Sequence, residues 1–281
     1  MNAPQLADNY YTPIENDNID LKRYISLFVS NWYWFTIALF LALSIVYCIN
    51  RWSEKVYTVS SSLLIKDDLF GGVSTGFPSI FPGTESYRSQ QNLENEIGIL
   101  KSLKINYLTI QKLKDFHVEY IAVGKRSIVE SRVYNNSPFV VVYDSLEKQT
   151  VGQKIGIKIL SDQKYLLEIN GGENFTKELT FGKEFVMPGF DFKIELRDKK
   201  NFQFDSDASN RYYFYFNDLM ALANQYRSNL SVIPIEEDAS LVTLSISGFV
   251  PSQEADYLNK LMDVYIQYGL DFKNQTTGQS I

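Results

Sequence analysis

The one histidine of the chain, His117, and its one cysteine, Cys48, bound the covalent and metal chemistry the sequence can run. A histidine-based triad would rest on His117 alone, and a zinc site would need several carboxylates beside it. The ordinary reading of such a residue is a strand-edge or surface histidine. Cys48 lies inside an apolar run, so no intrachain disulfide and no multi-cysteine metal site can form, and the redox compartment stays open. Phosphate-loop chemistry is missing as well. Gly124–Lys125 and Gly182–Lys183 both lack the upstream glycine and the following Ser or Thr that a Walker A loop uses to wrap phosphates. Ser247–Gly248 lacks the leading glycine of a nucleophile elbow. Acidic residues are plentiful, for instance Glu236, Glu237 and Asp238, and paired carboxylates are what a glycosidase needs. Their setting between two strand-like runs reads as a solvated turn. The expectation is a protein with no catalytic residue, cofactor or metal of its own.

The elements that would position any site begin with composition. The chain has 281 residues, 45% hydrophobic and 21% charged, enough for a core in one or two domains. Its net charge of −6 is dispersed and no basic run occurs, so nucleic acid is not an expected partner.

From Tyr24 to Asn50 no residue is charged. The run Trp32 to Ile49 is apolar almost throughout and, at about 1.5 Å per residue, reaches roughly 27 Å, close to the hydrocarbon thickness of a bilayer. Trp32, Tyr33 and Trp34 gather at one end and Tyr47 and Trp52 at the other, where amphipathic rings favour the headgroup level. The expected span is carried by Trp32, Trp34, Phe35, Leu39, Leu43, Val46 and Ile49. Acidic Glu15, Asp17 and Asp20 precede it and Arg51–Trp52–Ser53 follows it, which argues for a retained anchor and against a cleaved signal peptide. Lys22 and Arg23 on one side are balanced by Arg51, Lys55 and Lys66 on the other, so charge does not fix the orientation. Asp20 is placed to cap a helix whose Leu21, Tyr24, Ile25 and Phe28 would lie along the membrane surface, and residues 1–19 read as a mobile tail.

Beyond the span the fold class reads as α+β: a mixed α/β membrane-proximal domain with an antiparallel β-rich middle region. Lys55 to Lys66 is rich in β-formers and reads as a strand. Asp67 to Ser89 is punctuated by glycine and proline yet holds Phe70, Phe77, Ile80 and Phe81, which marks them, with Ile97, as expected contacts between copies of the chain. Gln91 to Leu113 has helical spacing in two pieces, with Ser102 as the N-cap of the second. Alternation at Ile155–Ile159 and Phe190–Leu196, with Phe139–Tyr143 and a tight Asn170–Gly171 turn, gives the antiparallel block. Helical spacing returns near Asp218 to Tyr226, a strand-like run follows at Leu230–Ile235, and Val242, Leu244 and Ile246 alternate ahead of Pro251, which opens the last helix. The expected domains are a tail 1–19, an interfacial and spanning helix 20–51, an α/β domain from 52–115 and 206–273, a β-rich insertion 116–205 and a polar tail 274–281.

Ile19–Asp20–Leu21 precedes the aromatic-rich span, Glu96–Ile97–Gly98–Ile99–Leu100–Lys101–Ser102 follows the first strand, and the late strand is followed by Pro251, Ala255 and Tyr265. With this order of elements, these motifs resemble the chain-length determinant (Wzz-type) domain of polysaccharide co-polymerases, including the version fused to bacterial tyrosine autokinases and exopolysaccharide export proteins. The resemblance implies a bacterial inner-membrane protein, single-pass in this chain, with a cytoplasmic N-terminus and a periplasmic domain. It implies homo-oligomers that work with a membrane polysaccharide polymerase and an outer-membrane exporter, and contact with the polysaccharide itself is a further implied partnership. Members of that family continue into a helical hairpin and a second span, or into a kinase domain; neither is in these residues, which leads to the expectation of a truncated product or a piece of a longer protein. The β-rich middle is larger than the minimal family domain. Two other readings stand beside the scaffold: the sensing part of a tyrosine autokinase, and a membrane-held carbohydrate-processing enzyme, which an inward-facing carboxylate pair in a sugar-sized cleft would favour.

Overall fold

The computed structural model describes residues 21–65, 93–125, 129–169, 175–206, 208–235 and 240–278. Two compact bodies result, the first ending at Ser53 and the second beginning at Glu54. In the first, α1 (Leu21–Ser30) is followed at once by α2 (Trp32–Trp52). Trp32–Arg51 is long and apolar enough to cross a membrane, and none of it is buried by protein. Such a surface is stable only in lipid or under another chain. The Asp20 cap lies outside the described residues.

The second body is built from two modules. In the α/β layer, β1 (Tyr57–Leu64), β12 (Leu241–Gly248) and β11 (Ser231–Pro234) make a three-stranded antiparallel sheet in the order β1-β12-β11. β1 and β12 pair over their full length, from Tyr57 opposite Gly248 to Leu64 opposite Leu241. Val242, Leu244 and Ile246 turn inward from this sheet toward Leu258, Leu261 and Tyr265 of α6 (Pro251–Gly278) and toward Ala223 and Tyr226 of α5 (Leu219–Asn229). The opposite face carries hydroxyl pairs, Thr58 with Ser247 at 2.7 Å and Ser60 with Ser245 at 3.0 Å.

The expected broken helix is present. A helix, α3, occupies residues 93–100 and α4 runs Leu103–Lys112, with Ser102 in extended conformation accepting from the Ile105 amide. Buried Asn106 holds the break in place. Its amide donates to the carbonyls of Leu100 at 3.0 Å and Ser102 at 2.7 Å, and its oxygen accepts from the Tyr257 hydroxyl on α6. Carbonyls freed where one helix ends are thus satisfied by a side chain of the next.

Between α4 and α5 the chain builds a β-sandwich. One sheet has six strands in the order β3-β2-β10-β5-β6-β7: β2 (Val118–Val123), β3 (Glu130–Arg132), β5 (Ile155–Ile159), β6 (Lys164–Ile169), β7 (Phe175–Thr180) and β10 (Arg211–Phe216). The other has three in the order β4-β9-β8: β4 (Phe139–Val142), β8 (Glu184–Met187) and β9 (Phe190–Leu196). Alternate residues of each sheet fill a common core in which Phe192 meets Phe214 edge-on at 5.5 Å and Phe139 meets Phe214 at 6.4 Å.

Three expectations need correction or fall out of view. β10 is an internal strand of the six-stranded sheet, so the β-rich module reaches Phe216 and not residue 205. Residues 274–278 continue α6 as helix, where a polar tail was expected. Nothing in Asn274–Gly278 forbids further turns, since it contains no proline and its glycine comes last. The β6–β7 hairpin pairs Ile169 with Phe175, so five residues separate its strands; that connection, with Asn170–Gly171, lies outside the described residues.

Candidate functional site

Chemistry in this chain gathers where the sandwich meets the α/β layer. The alternation of β2 turns Glu119 away from the sandwich core, and β3 brings Arg132 alongside, 3.4 Å away. From the other module, the first turns of α6 present Gln253 and Glu254. Both glutamates and Gln253 are buried, with Glu119 6% and Glu254 5% exposed. Asn217 and Gln253 donate to Glu119, and Tyr226 of α5 supports Glu254. A Cβ on Gly248 would overlap the Glu254 carboxyl group as it lies, so the glycine lets that side chain pack against the strand. Tyr134 adds a further link between the modules, donating to Asp256 at 3.0 Å, and Arg132 lies over the Phe249 ring at 4.8 Å.

Burial sets the electrostatics of this junction. It pushes the Glu254 carboxyl up to about 7 despite Tyr226 and Arg132, both of which favour the ionised form. Burial moves Glu119 upward as well, opposed by Arg132, Asn217 and Gln253. One guanidinium therefore serves two buried carboxyl groups, and the Oε2 atom of Glu254 has no hydrogen-bond partner. The space among these groups is about 60 Å³. That holds a few water molecules, while sites for a sugar or other small organic ligand run to roughly 300 Å³ or more. As a carboxylate pair the junction lacks the sugar-sized cleft that glycoside hydrolysis requires.

A depression of about 740 Å³ forms a groove between the end of α4, the start of α5 and the outer edge of β4. His117 forms part of its wall and is buried there. Its Nε2 lies 3.2 Å from the carbonyls of both Ile110 and Gln111, so this nitrogen carries the proton. Its Nδ1, 2.7 Å from the Tyr143 oxygen, then accepts from that hydroxyl. Burial, the largest influence, and Lys114 both lower the His117 pKa, which keeps the ring neutral as this arrangement requires. With both nitrogens engaged, His117 caps the C-terminal carbonyls of α4 and ties that helix to β4; it is a structural residue. Asp115, Asp144, Glu147 and Asp218 rim the groove against Lys114, so its field is negative.

The expected site residues fall into three groups. Trp32, Trp34, Phe35, Leu39, Leu43, Val46 and Ile49 are all exposed along α2, as lipid-facing side chains of a span would be. Ile97 is half-buried against the core of the α/β layer. Phe70, Phe77, Ile80 and Phe81 lie outside the described residues, as do Glu236, Glu237 and Asp238. Among the described residues no group of three or more His, Cys, Asp or Glu side chains is placed to hold a metal. The Glu119–Arg132–Glu254 junction was not legible beforehand, because its members are scattered along the chain and spacing says nothing of their meeting.

No family model matches the chain. It is similar to the tyrosine-protein kinase wzc of Salmonella typhi, with 20% identity over 279 residues covering 95% of this chain. The same enzyme of Salmonella typhimurium matches at the same identity and extent. The chain spans 36% of the length of these curated relatives. Among solved structures, crystal structures of Xanthomonas campestris FlgL overlap 59% of this chain and 48% of their own at 10% identity, with a TM-score of 0.22, too slight an overlap to bear on fold or function.

The pKa of Glu254 gives a direct expectation. The folded chain holds a proton that the unfolded chain releases above its ordinary value of 4.5, so stability falls as pH rises from there to about 7. Glu254→Gln removes this penalty, and by the size of the shift it should stabilise the protein by about 3 kcal/mol at pH 8 and by nothing measurable at pH 4. Denaturant titrations of both proteins at the two pH values check it.

Proposed function

We propose that the chain is a membrane-anchored, non-enzymatic polysaccharide co-polymerase subunit, a scaffold for polymerisation, chain-length control and export of a surface or exopolysaccharide. The observation that carries this reading is the likeness over 95% of the chain to two wzc proteins, which agrees with the resemblance at Glu96–Ser102 and Pro251–Tyr265. The exposed apolar helix α2, next in sequence to a domain of ordinary globular composition, supports anchoring at a membrane. In this reading the N-terminus is cytoplasmic and everything beyond Arg51 is periplasmic, in the bacterial inner membrane. Copies of the chain assemble with one another and with a membrane polymerase and an outer-membrane exporter. The chain supplies geometry and lodging, and the chemistry of chain growth belongs to the polymerase.

A second reading is favoured by one observation, that the chain spans 36% of the length of relatives that are tyrosine-protein kinases. In it the same domain is the sensing part of a tyrosine autokinase whose catalytic portion lies outside these residues. Both readings place the domain in the same machinery.

Removing the gene from its host is expected to broaden or abolish the length distribution of one surface or exported polysaccharide on gels and sizing columns, with restoration by the cloned gene. An unchanged polymer profile overturns the reading. For orientation, protease added to spheroplasts is expected to digest the region beyond Arg51 and to spare a tag at Met1; the opposite pattern reverses the topology.

A further inference from the structure

The six-stranded sheet buries one face in the sandwich; its other face is covered at Glu119 and Ile121 on β2 and opens toward solvent across β10, β5 and β6. On β10, buried Phe214 and Phe216 alternate with Tyr213 and Tyr215, which point outward. Opposite Tyr213 in register stand Ile121 on β2 and Gly156 on β5. Glycine inside a strand weakens it, and such a position often marks a close approach of a ligand or another backbone. Gly156 is not in the left-handed region, and a Cβ on it would come 3.2 Å from the Cβ of Glu168. Its missing side chain keeps the floor beside Tyr213 open.

Two depressions of about 430 and 420 Å³ flank this point. Both are lined by Tyr213, Lys154 and Glu130, so they are two halves of one trough crossing the sheet. Its middle is organised. The Tyr213 hydroxyl donates to Glu130 at 2.6 Å, and the Lys154 ammonium lies 4.6 Å from the centre of the ring. From β3 to β6 the trough passes over five strands, roughly 19 Å at the usual strand spacing, long enough for a short oligosaccharide.

The chemistry of the trough selects its occupant. β2, β10 and β5 are internal strands whose backbone groups are paired on both sides, so an added peptide strand finds no edge here. Recognition must come from side chains. A site for a free anion or for nucleic acid would gather cations and exclude carboxylates, whereas this trough interleaves Glu54, Glu130 and Glu168 with Arg132, Lys154, Lys158 and Arg211 around a tyrosine. Sugars need that mixture: hydroxyls both donate and accept, and the C–H faces of the ring pack on aromatic planes. We propose that this face of the sandwich is a binding site for an oligosaccharide segment, centred on Tyr213 and Gly156. The proposal deepens the export reading and rests on it for the source of the glycan, namely the polymer that the assembly handles.

The test uses the full chain in lipid nanodiscs, titrated by calorimetry with cello-oligosaccharides, with oligogalacturonate and, as a charged control, with inorganic polyphosphate. At least one of the two oligosaccharides is expected to bind, with affinity falling tenfold or more in Tyr213→Ala. Lys154→Met leaves every aromatic ring of the sheet in place and is expected to weaken binding as well, so a folding defect in the first variant does not decide the matter. Binding by neither oligosaccharide, binding unaffected by both substitutions, or binding by polyphosphate alone overturns the proposal. Absence of glycan binding alongside an altered polymer profile on gene removal removes the trough and leaves the export reading standing. Tyr213-dependent binding with an unaltered profile does the reverse.

Discussion

The β-sandwich joins the rest of the chain through a neck two strands wide, and the fold depends on that neck being closed. Where the chain leaves the sandwich, the Asn217 amide donates to the His117 carbonyl at 2.8 Å and its side chain donates to the Phe116 carbonyl at 2.8 Å. Residues bonded in this way have Cα atoms about 5.5 Å apart. The long segment between them therefore begins and ends at nearly one point. That closure lets α4 and α5, which flank the insertion in sequence, pack on one another, and lets β1 find β12 across the whole length of the insertion. His117 reinforces the same place, with one ring nitrogen on the end of α4 and the other on Tyr143 of the sandwich.

Beside the neck the modules meet through apolar and polar groups together. Tyr134, from the stretch between β3 and β4, is buried in the core of the α/β layer and meets Phe116 edge-on at 5.7 Å, and polar contacts run through Glu119, Arg132, Gln253, Glu254 and the Tyr134–Asp256 bond. Buried carboxyl groups sharing one arginine contribute little net stability, since desolvation offsets most of their attraction. The cluster therefore specifies how the two modules meet more than it strengthens their contact.

Much of the local structure was legible because local chemistry dictates it. Ser102 caps where its hydroxyl can reach a free amide, Pro251 opens α6 where its missing N–H is not needed, and Ile155–Ile159 and Phe190–Leu196 alternate as half-buried strands must. What sequence does not carry is pairing. Tyr57–Leu64 and Leu241–Gly248 are strand-like on their own, but nothing in either names its partner. β10 was legible in principle, since Arg-Tyr-Tyr-Phe-Tyr-Phe is dense in β-formers; its aromatic residues fill both faces, and the alternation that marks a half-buried strand is hidden. The same blindness covers the junction. Glu119 and Glu254 look like the surface carboxylates that surround them in sequence, and burial by distant elements alone sets them apart.

The central claim is that an α/β base is interrupted by a separately built sandwich at a closed neck. It is tested most directly by replacing residues 118–216 of the full chain with a short glycine linker and following amide hydrogen exchange in nanodiscs. The account predicts that Val242, Leu244 and Ile246 of β12 and the core side of α6 stay protected, with cooperative unfolding of a smaller unit. Rapid exchange throughout β12 and α6 would show that base and sandwich fold only together, and would contradict it.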